Sequence, residues 1–225
     1  MFGITELTQP AAEPVTLAQA KQHLVIPASF TDDDALITAY ITAARQYCEH
    51  YTRRAFFERS VQLTLNHFPA WDYEATVGAH SRDGWFYYDH FFRNPTIQLP
   101  KPAVQSVTSI KYVDVGGDQQ TLDSSLYVLD NAAEPARLSP APGAYWPYTM
   151  QYRPGNVQIT YVAGSYGDGV KVNTCPQSIV LAMLMLIAHW YANREATSQI
   201  NLTNIPLGVN AMLDTVRVDT FGLDL

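Results

Sequence analysis

The chain has 225 residues, of which 47% are hydrophobic, enough to build a core and to exclude a disordered polypeptide. Its formal net charge is −7 and no cluster of Lys and Arg could neutralise a row of phosphates, which argues against an ordinary DNA-binding surface. The first residues lack the basic start and apolar run of a signal peptide. Cys48 and Cys175 are typical of buried thiols in a reducing compartment. We therefore expect a single, non-secreted domain over residues 1–225.

The N-terminal quarter predicts an extended arm followed by two helices. Residues 1–15 contain two prolines and little periodicity, as expected of an arm. Thr16 starts a capping-box pattern that predicts a short helix ending near residues 25–27. A long helix is predicted from about residue 31 to residue 52, so that residues 16–54 are helical. Its apolar stripe, expected to pack on another helix, consists of Leu36, Tyr40, Ala43, Tyr47 and Tyr51.

Three adjacent carboxylates, Asp32, Asp33 and Asp34, open the long helix. Acidic side chains in a first turn complement the helix dipole and its free N–H groups, and this is the interpretation we favour. A divalent metal site is the alternative that these residues leave open.

Residues 55–165 are predicted to be β-rich. Val61, Leu63 and Leu65 alternate with polar residues, as in a half-buried strand, and turns are predicted at 116–118 and 153–156. Short strands between helices at both ends predict an α+β domain, in which an antiparallel β-sheet or small barrel lies between two N-terminal helices and one long C-terminal helix. The other predicted strands are residues 96–99, 104–115, 126–129, 136–138 and 156–162.

Two aromatic-rich segments, near residues 71–92 and 139–152, interrupt the β-rich region. Exposed aromatic side chains can anchor a protein interface or stack on a sugar. A satellite core beneath long loops, a subunit interface and a carbohydrate site are therefore three open interpretations. The candidate interface aromatics are Trp85, Phe86, Tyr87, Tyr88 and Trp146.

A central helix is predicted within residues 174–196. Thr174 has the position of an N-cap, and apolar side chains between Pro176 and Arg194 cover nearly the whole circumference, as in a helix touched on several sides. Its uninterrupted apolar run is too short for a membrane span. Residues 197–225 are predicted to form a C-terminal tail that contains one short helix.

No pattern in the sequence predicts catalysis, a cofactor or a resident metal. His80, Asp83, Asp89 and His90 share one aromatic segment but lack the close spacing that specifies a metal site. The glycine-rich residues 164–169 have neither the Walker lysine nor dinucleotide-binding spacing, so they predict a flexible loop. We therefore predict a protein that is not an enzyme and has no cofactor.

Five motifs follow one another in a recognisable order at the two ends of the chain. They are EPVTLAQAKQHL (13–24), DDDALI (32–37), AARQYCEHYTRRA (43–55), ITYVAG (159–164) and AHWYANREA (188–196). The set resembles the gp6-like head–tail connector proteins of long-tailed bacteriophages, also called adaptor or head-completion proteins. The resemblance covers residues 13–66 and 156–218, so no family role is carried over to the aromatic segments.

This resemblance implies a structural virion protein at the head–tail interface, assembled in the host cytoplasm. It implies a homo-oligomeric ring of twelve copies beneath the portal protein, closed by head-to-tail contacts through the helices. The ring would extend the DNA channel, where an acidic wall lets genomic DNA pass without specific binding, and would present a platform to stopper or tail-completion proteins. No membrane is involved.

The resemblance also gives the C-terminal tail a role. In such connectors this segment docks on the portal, as an added strand or an apolar plug. The portal anchors predicted on this basis are Val218, Phe221, Leu223 and Leu225.

Two other functions stay open at this point. One is a different phage tail component that binds a carbohydrate through Trp85. The other is a small hydrolase or metal enzyme that uses His80 and His90.

Overall fold

A computed structural model describes residues 2–69, 96–150, 153–170, 173–194 and 207–218. Within these ranges helices and antiparallel sheets combine, which confirms the predicted α+β class. The elements in chain order are β1 (Phe2–Glu6), α1 (Leu17–His23), α2 (Asp34–Thr52), β2 (Arg59–Leu65), β3 (Ile97–Leu99), β4 (Val104–Val113), β5 (Gln119–Thr121), a 3-10 turn (Ser124–Leu126), β6 (Tyr127–Asp130), β7 (Ala136–Pro140), β8 (Val157–Ala163), α3 (Gln177–Ala192) and α4 (Leu207–Asp214).

The start of the chain is more ordered than the predicted arm. Thr16 and Gln19 form the predicted capping box of α1: the Gln19 N–H donates to the Thr16 hydroxyl at 3.2 Å and the Thr16 N–H to the Gln19 side chain at 2.9 Å. Ahead of it, β1 pairs with β2 in antiparallel register, with Ile4 opposite Leu63. The arm thus supplies an edge strand, which its sequence alone did not indicate.

The face that α2 buries is one residue away from the predicted stripe. The predicted residues are only partly buried, because a tyrosine hydroxyl needs a polar partner at the border of a core. The Tyr51 hydroxyl, for example, donates to Asp214 at 2.8 Å. The apolar side chains of α2 that are fully buried are Ile37, Ile41, Ala44 and Cys48.

The four helices and residues 53–58 form what we call the helical half. Its core is centred on α3, whose Ile179, Met183, Leu186 and Ile187 are fully buried between α2, α4 and α1. Leu181 is 42% exposed, so α3 reaches solvent on one side. None of the described helices combines the length and apolarity that a bilayer crossing requires.

The start of α3 differs from the prediction. Pro176, rather than Thr174, occupies the N-cap position, and no side chain caps the helix. The Thr174 hydroxyl instead donates to the carbonyl of Tyr166 at 3.2 Å. Thr174 therefore fastens the preceding loop.

The strands form the sheet half, which contains two open antiparallel sheets within the described ranges. One sheet has the order β1-β2-β8-β4-β5 and the other the order β3-β7-β6. Alternate side chains of β2 and β8, such as Val61 opposite Tyr161 and Leu63 opposite Ile159, point into a core shared with Leu138 of the smaller sheet. The predicted hairpin turn at 116–118 joins β4 to β5.

Three stretches connect the halves, residues 7–16, 53–58 and 164–176, and the last two are hydrogen-bonded to each other. The Tyr166 N–H donates to the Phe56 carbonyl at 2.9 Å, and the Glu58 N–H donates to the Gly167 carbonyl at 2.8 Å. Gly164 has a φ of +101°, and a Cβ there would lie 2.3 Å from the carbonyl oxygen of Phe57. The glycines therefore permit a close, hydrogen-bonded approach, and the prediction of a flexible loop is wrong for residues 164–167.

Candidate functional site

Buried charges meet where the helical half joins the sheet half. Glu49 of α2 is 6% exposed, and its carboxylate accepts hydrogen bonds from Arg45 at 2.8 Å, from the Phe56 N–H at 2.8 Å and from Arg59 of β2. Arg45 and Arg59 are 2% and 3% exposed. A carboxylate held by two buried guanidinium groups fixes the angle between α2 and β2, because charge-assisted hydrogen bonds are directional.

The same network holds the N-terminal segment. The Arg45 Nε donates to Glu13 at 2.8 Å, the Arg59 Nη1 donates to Glu6 at 3.3 Å, and Lys101 also binds Glu6. Burial alone would raise the pKa of Glu6, but the hydrogen bond and charge of Lys101 and the charge of Arg59 outweigh it and hold this pKa below its usual value. The segment is therefore attached by ion pairs at both ends.

A cleft of about 1110 Å³ opens beside this network. Its wall comes from the C-terminal end of α2, from β1 and β2, and from β3 with the residues that follow it. Four lining side chains are cationic and two are carboxylates, in a chain whose net charge is −7. The cleft thus combines apolar surface with charged groups, of which Arg45, Arg59 and Lys101 are paired with carboxylates of the network. The charged lining residues are Arg45, Arg53, Arg59, Lys101, Glu6 and Glu49.

The cysteines are unsuited to nucleophilic chemistry. Cys48 and Cys175 are 0% and 5% exposed, and burial raises the pKa of each thiol to about 12. The nucleophile in cysteine chemistry is the thiolate, which these residues do not form near neutral pH.

The acidic start of α2 makes ion pairs and hydrogen bonds to other parts of the helical half. Asp33 occupies the N-cap position but its side chain makes no capping hydrogen bond, contrary to the prediction. Its carboxylate accepts from the Tyr191 hydroxyl at 2.6 Å and from Arg194 at 2.8 Å, while Asp34 binds Lys21 at 2.7 Å. In the described part of the chain no group of three or more His, Cys, Asp or Glu side chains could hold a metal.

Trp146, one of the predicted interface aromatics, lies over the sheet half. Its ring stacks on Phe68 with a centroid distance of 4.9 Å and an angle of 4°, and Phe68 meets Tyr112 edge-on at 5.8 Å. This ring therefore contributes to the sheet core. Its neighbours Tyr145 and Tyr148 are 77% and 86% exposed and present aromatic surface to solvent.

Val218, one of the predicted portal anchors, is 5% exposed and lies in the wall of the cleft. Its N–H donates to the carbonyl of Thr52, the last residue of α2, at 3.1 Å. The described residues 207–218 are thus fixed to the helical half and end in the wall of the cleft. The remaining predicted site residues lie outside the described ranges: Phe221, Leu223, Leu225, Trp85, Phe86, Tyr87 and Tyr88, as do His80, Asp83, Asp89 and His90.

The sequence profile of the phage gp6-like head-tail connector proteins matches residues 14–83. Among solved structures, the fold is similar to chains described as "Neck of empty GTA particle computed with C6 symmetry" (TM-score 0.69, 24% identity, 98% of each chain covered) and "Neck of native GTA particle computed with C12 symmetry" (0.64, 24%, 98% of each). A chain from "Virion of native gene transfer agent (GTA) particle" gives a TM-score of 0.68 at 22% identity over 97% of each chain. No curated protein sequence matches the chain.

These comparisons define the class of protein. The resemblance to gp6-like head–tail connectors is confirmed by the profile match, and that family is structural rather than enzymatic. The likeness of fold spans nearly the whole chain, well beyond the profile match. The profile match supports a structural virion connector.

Proposed function

We propose that twelve copies of this chain form a ring beneath the portal protein of a phage-like head. The ring extends the DNA channel and presents a platform to stopper or tail-completion proteins. The helices α1 to α4 supply the wall shared by neighbouring copies, through head-to-tail contacts that close by rotation. Assembly takes place in the host cytoplasm, and the finished ring belongs to the virion.

One observation carries this proposal: connector-type sequence at residues 14–83 occurs within a fold that matches neck chains over 98% of its length. One of the matched neck structures was computed with C12 symmetry, which supports a count of twelve. Neither a catalytic thiolate nor a metal cluster in the described ranges competes with this conclusion.

Charge supports the proposed channel. The net charge of −7 per copy adds up around a ring, and a wall of the same sign as DNA does not retain the polymer as it passes. DNA is therefore expected to pass without specific binding.

The terminal segment, residues 219–225, is the proposed portal contact. It contains Phe221, Leu223 and Leu225, and it follows directly after the buried Val218. An extended apolar segment can dock by adding a strand or by filling a pocket on the partner.

Mixing the purified chain with its cognate portal protein tests the proposal. We expect a collar of twelve copies on the portal by light scattering and electron microscopy. Deletion of residues 219–225 should abolish the collar and leave a cooperatively folded subunit, since Val218 keeps its bond to Thr52. Asp219→Asn, which keeps the apolar anchors, should bind like the parent chain. A portal that stays bare with the full chain would refute the proposal, whereas a monomer in solution would not, because the ring can form on the portal.

A further inference from the structure

We propose that the cleft is a binding site for an extended apolar segment, and that its occupant in the unassembled subunit is the terminal segment, residues 219–225 of the same chain. This inference goes beyond the proposed function.

The chain enters the cleft at a fixed point. Val218 is buried in the cleft wall and bonded to Thr52. Two residues earlier, the carbonyl of Val216 accepts a hydrogen bond from Arg54 Nε at 2.6 Å. The Nη1 atom of Arg54 also donates to the Glu134 carboxylate at 2.7 Å. Glu134 lies immediately before Pro135, which also lines the cleft, and β7. The terminal segment therefore starts beside the end of the smaller sheet.

That sheet offers an edge to the cleft. In the described part of the chain β3 pairs with β7 on one side only, so it is an edge strand, and Ile97 and Gln98 line the cleft. The backbone N–H and C=O groups of an edge strand are a template for an added strand. The edge and the point of entry belong to the same cleft.

The sequence of the terminal segment suits this edge. Phe221, Leu223 and Leu225 alternate with other residues, so in an extended conformation all three face the same side. Apolar side chains on one face match the apolar part of the cleft wall.

The direction of the added strand follows from the register. Pro135 precedes Ala136, which is the partner of Leu99, so the terminal segment starts at the Leu99 end of β3 and runs towards Ile97. It is therefore antiparallel to β3. An extended chain advances about 3.3 Å per residue, so seven residues reach about 23 Å, more than the length of β3.

Tethering makes this contact effective even when it is weak. A segment attached beside its site has an effective concentration on the order of 1 mM. A separate peptide with a Kd of about 100 µM would, when tethered, be seated in about nine-tenths of the subunits. The same side chains are the proposed portal anchors, so the portal and the cleft would compete for one segment.

Amide hydrogen exchange on the full chain tests this proposal. We expect Phe221→Asp and Leu223→Asp to speed exchange at residues 97–99 by about tenfold, because the seated fraction is lost. Exchange should not change at β5 and β6, the opposite edges of the two sheets. Thr220→Asp is the matched control, since it adds the same charge on the other side of the alternation and should exchange like the parent chain. Cooperative thermal unfolding of every variant would show that all of them fold.

Equal exchange at residues 97–99 in the parent chain and both apolar variants would overturn the proposal. Protection that rises with protein concentration would also overturn it, by showing that the occupant belongs to a second copy. The proposal would be supported if protection at residues 97–99 did not depend on protein concentration, was lost in Phe221→Asp and was kept in Thr220→Asp. None of these results depends on the portal, so failure here leaves the mixing experiment with the portal unaffected.

Discussion

The helical half and the sheet half are stabilised in different ways. The sheet core is almost wholly apolar. Its buried polar groups include the Tyr161 hydroxyl, which donates to the Pro100 carbonyl at 2.8 Å, and the amide of Asn156, which donates to the Met150 carbonyl. The helical half buries the ionised side chains of Arg45 and Glu49 against Arg59, where it meets the sheets. Removing one partner of a buried ion pair leaves an uncompensated charge, whereas an apolar core has no such weakness. The junction should therefore be the part of the molecule most sensitive to loss of charge.

The largest effect is expected at Glu49. Glu49→Gln keeps the shape of the side chain but leaves two buried guanidinium groups with only the partly exposed carboxylates of Glu13 and Glu6, which should lower the free energy of unfolding by about 3 kcal/mol. Urea denaturation at pH 7 measures this change. Glu134→Gln is the matched control, because the Glu134 side chain is 41% exposed, and it should cost about 0–1 kcal/mol. Similar losses for the two variants would contradict the distinction between the halves.

A smaller effect is expected at the edge of the sheet core. Trp146→Ala removes the ring stacked on Phe68 and should cost about 2 kcal/mol. Tyr148→Ala, at a residue that is 86% exposed, should stay within about 0.5 kcal/mol of the parent chain. Thermal denaturation of both variants measures the difference, and a neutral Trp146→Ala would indicate that the ring serves an interface instead of the core.

Within the sheet core, loss of the single tyrosine hydroxyl should matter less. Tyr161→Phe leaves the Pro100 carbonyl without this donor and should cost about 1 kcal/mol by urea denaturation. A loss as large as that of Glu49→Gln would show that the sheet half also depends on a polar group.

The smallest effect is a pH dependence at the junction. The pKa of Glu6 is lowered from 4.5 in the folded chain, so its contribution to stability is present above about pH 4.5 and is lost as the pH falls through the folded value. Melting temperatures of the parent chain and Glu6→Gln should therefore differ at pH 7 and converge on acidification below pH 4.5. A gap that stays constant down to pH 3 would exclude this role for Glu6.

Local patterns predicted many elements of both halves. The capping box at Thr16, the alternation around Val61 and the glycines at 116–117 each specify their element through neighbouring residues, so α1, β2 and the β4–β5 hairpin were predictable. Which side chains of α2 face the core was harder to predict. The tyrosines of α2 have the right spacing for a core, but their hydroxyls place them at its border.

Contacts between distant residues were not predictable. Nothing near Phe2–Glu6 reveals that β2 is its partner, and Arg59 joins Glu49 only because the chain reverses between α2 and β2. Arg45 and Glu49 did carry one signal, since each directly follows a small apolar residue of the buried face, Ala44 and Cys48. Charged side chains next to buried apolar residues of a helix indicate buried ion pairs, but they do not reveal that Arg59 is the third residue of this network.

The paired connections at residues 56–58 and 164–167 have a mechanical consequence. Two crossings that are hydrogen-bonded to each other resist twisting far better than a single linker, which could act as a swivel. The carbonyl of Phe57 also occupies the space that a side chain on Gly164 would need, so the two crossings cannot slide past each other. The subunit should therefore move as one rigid block, and in the proposed ring any widening or tightening would take place at the seams between copies.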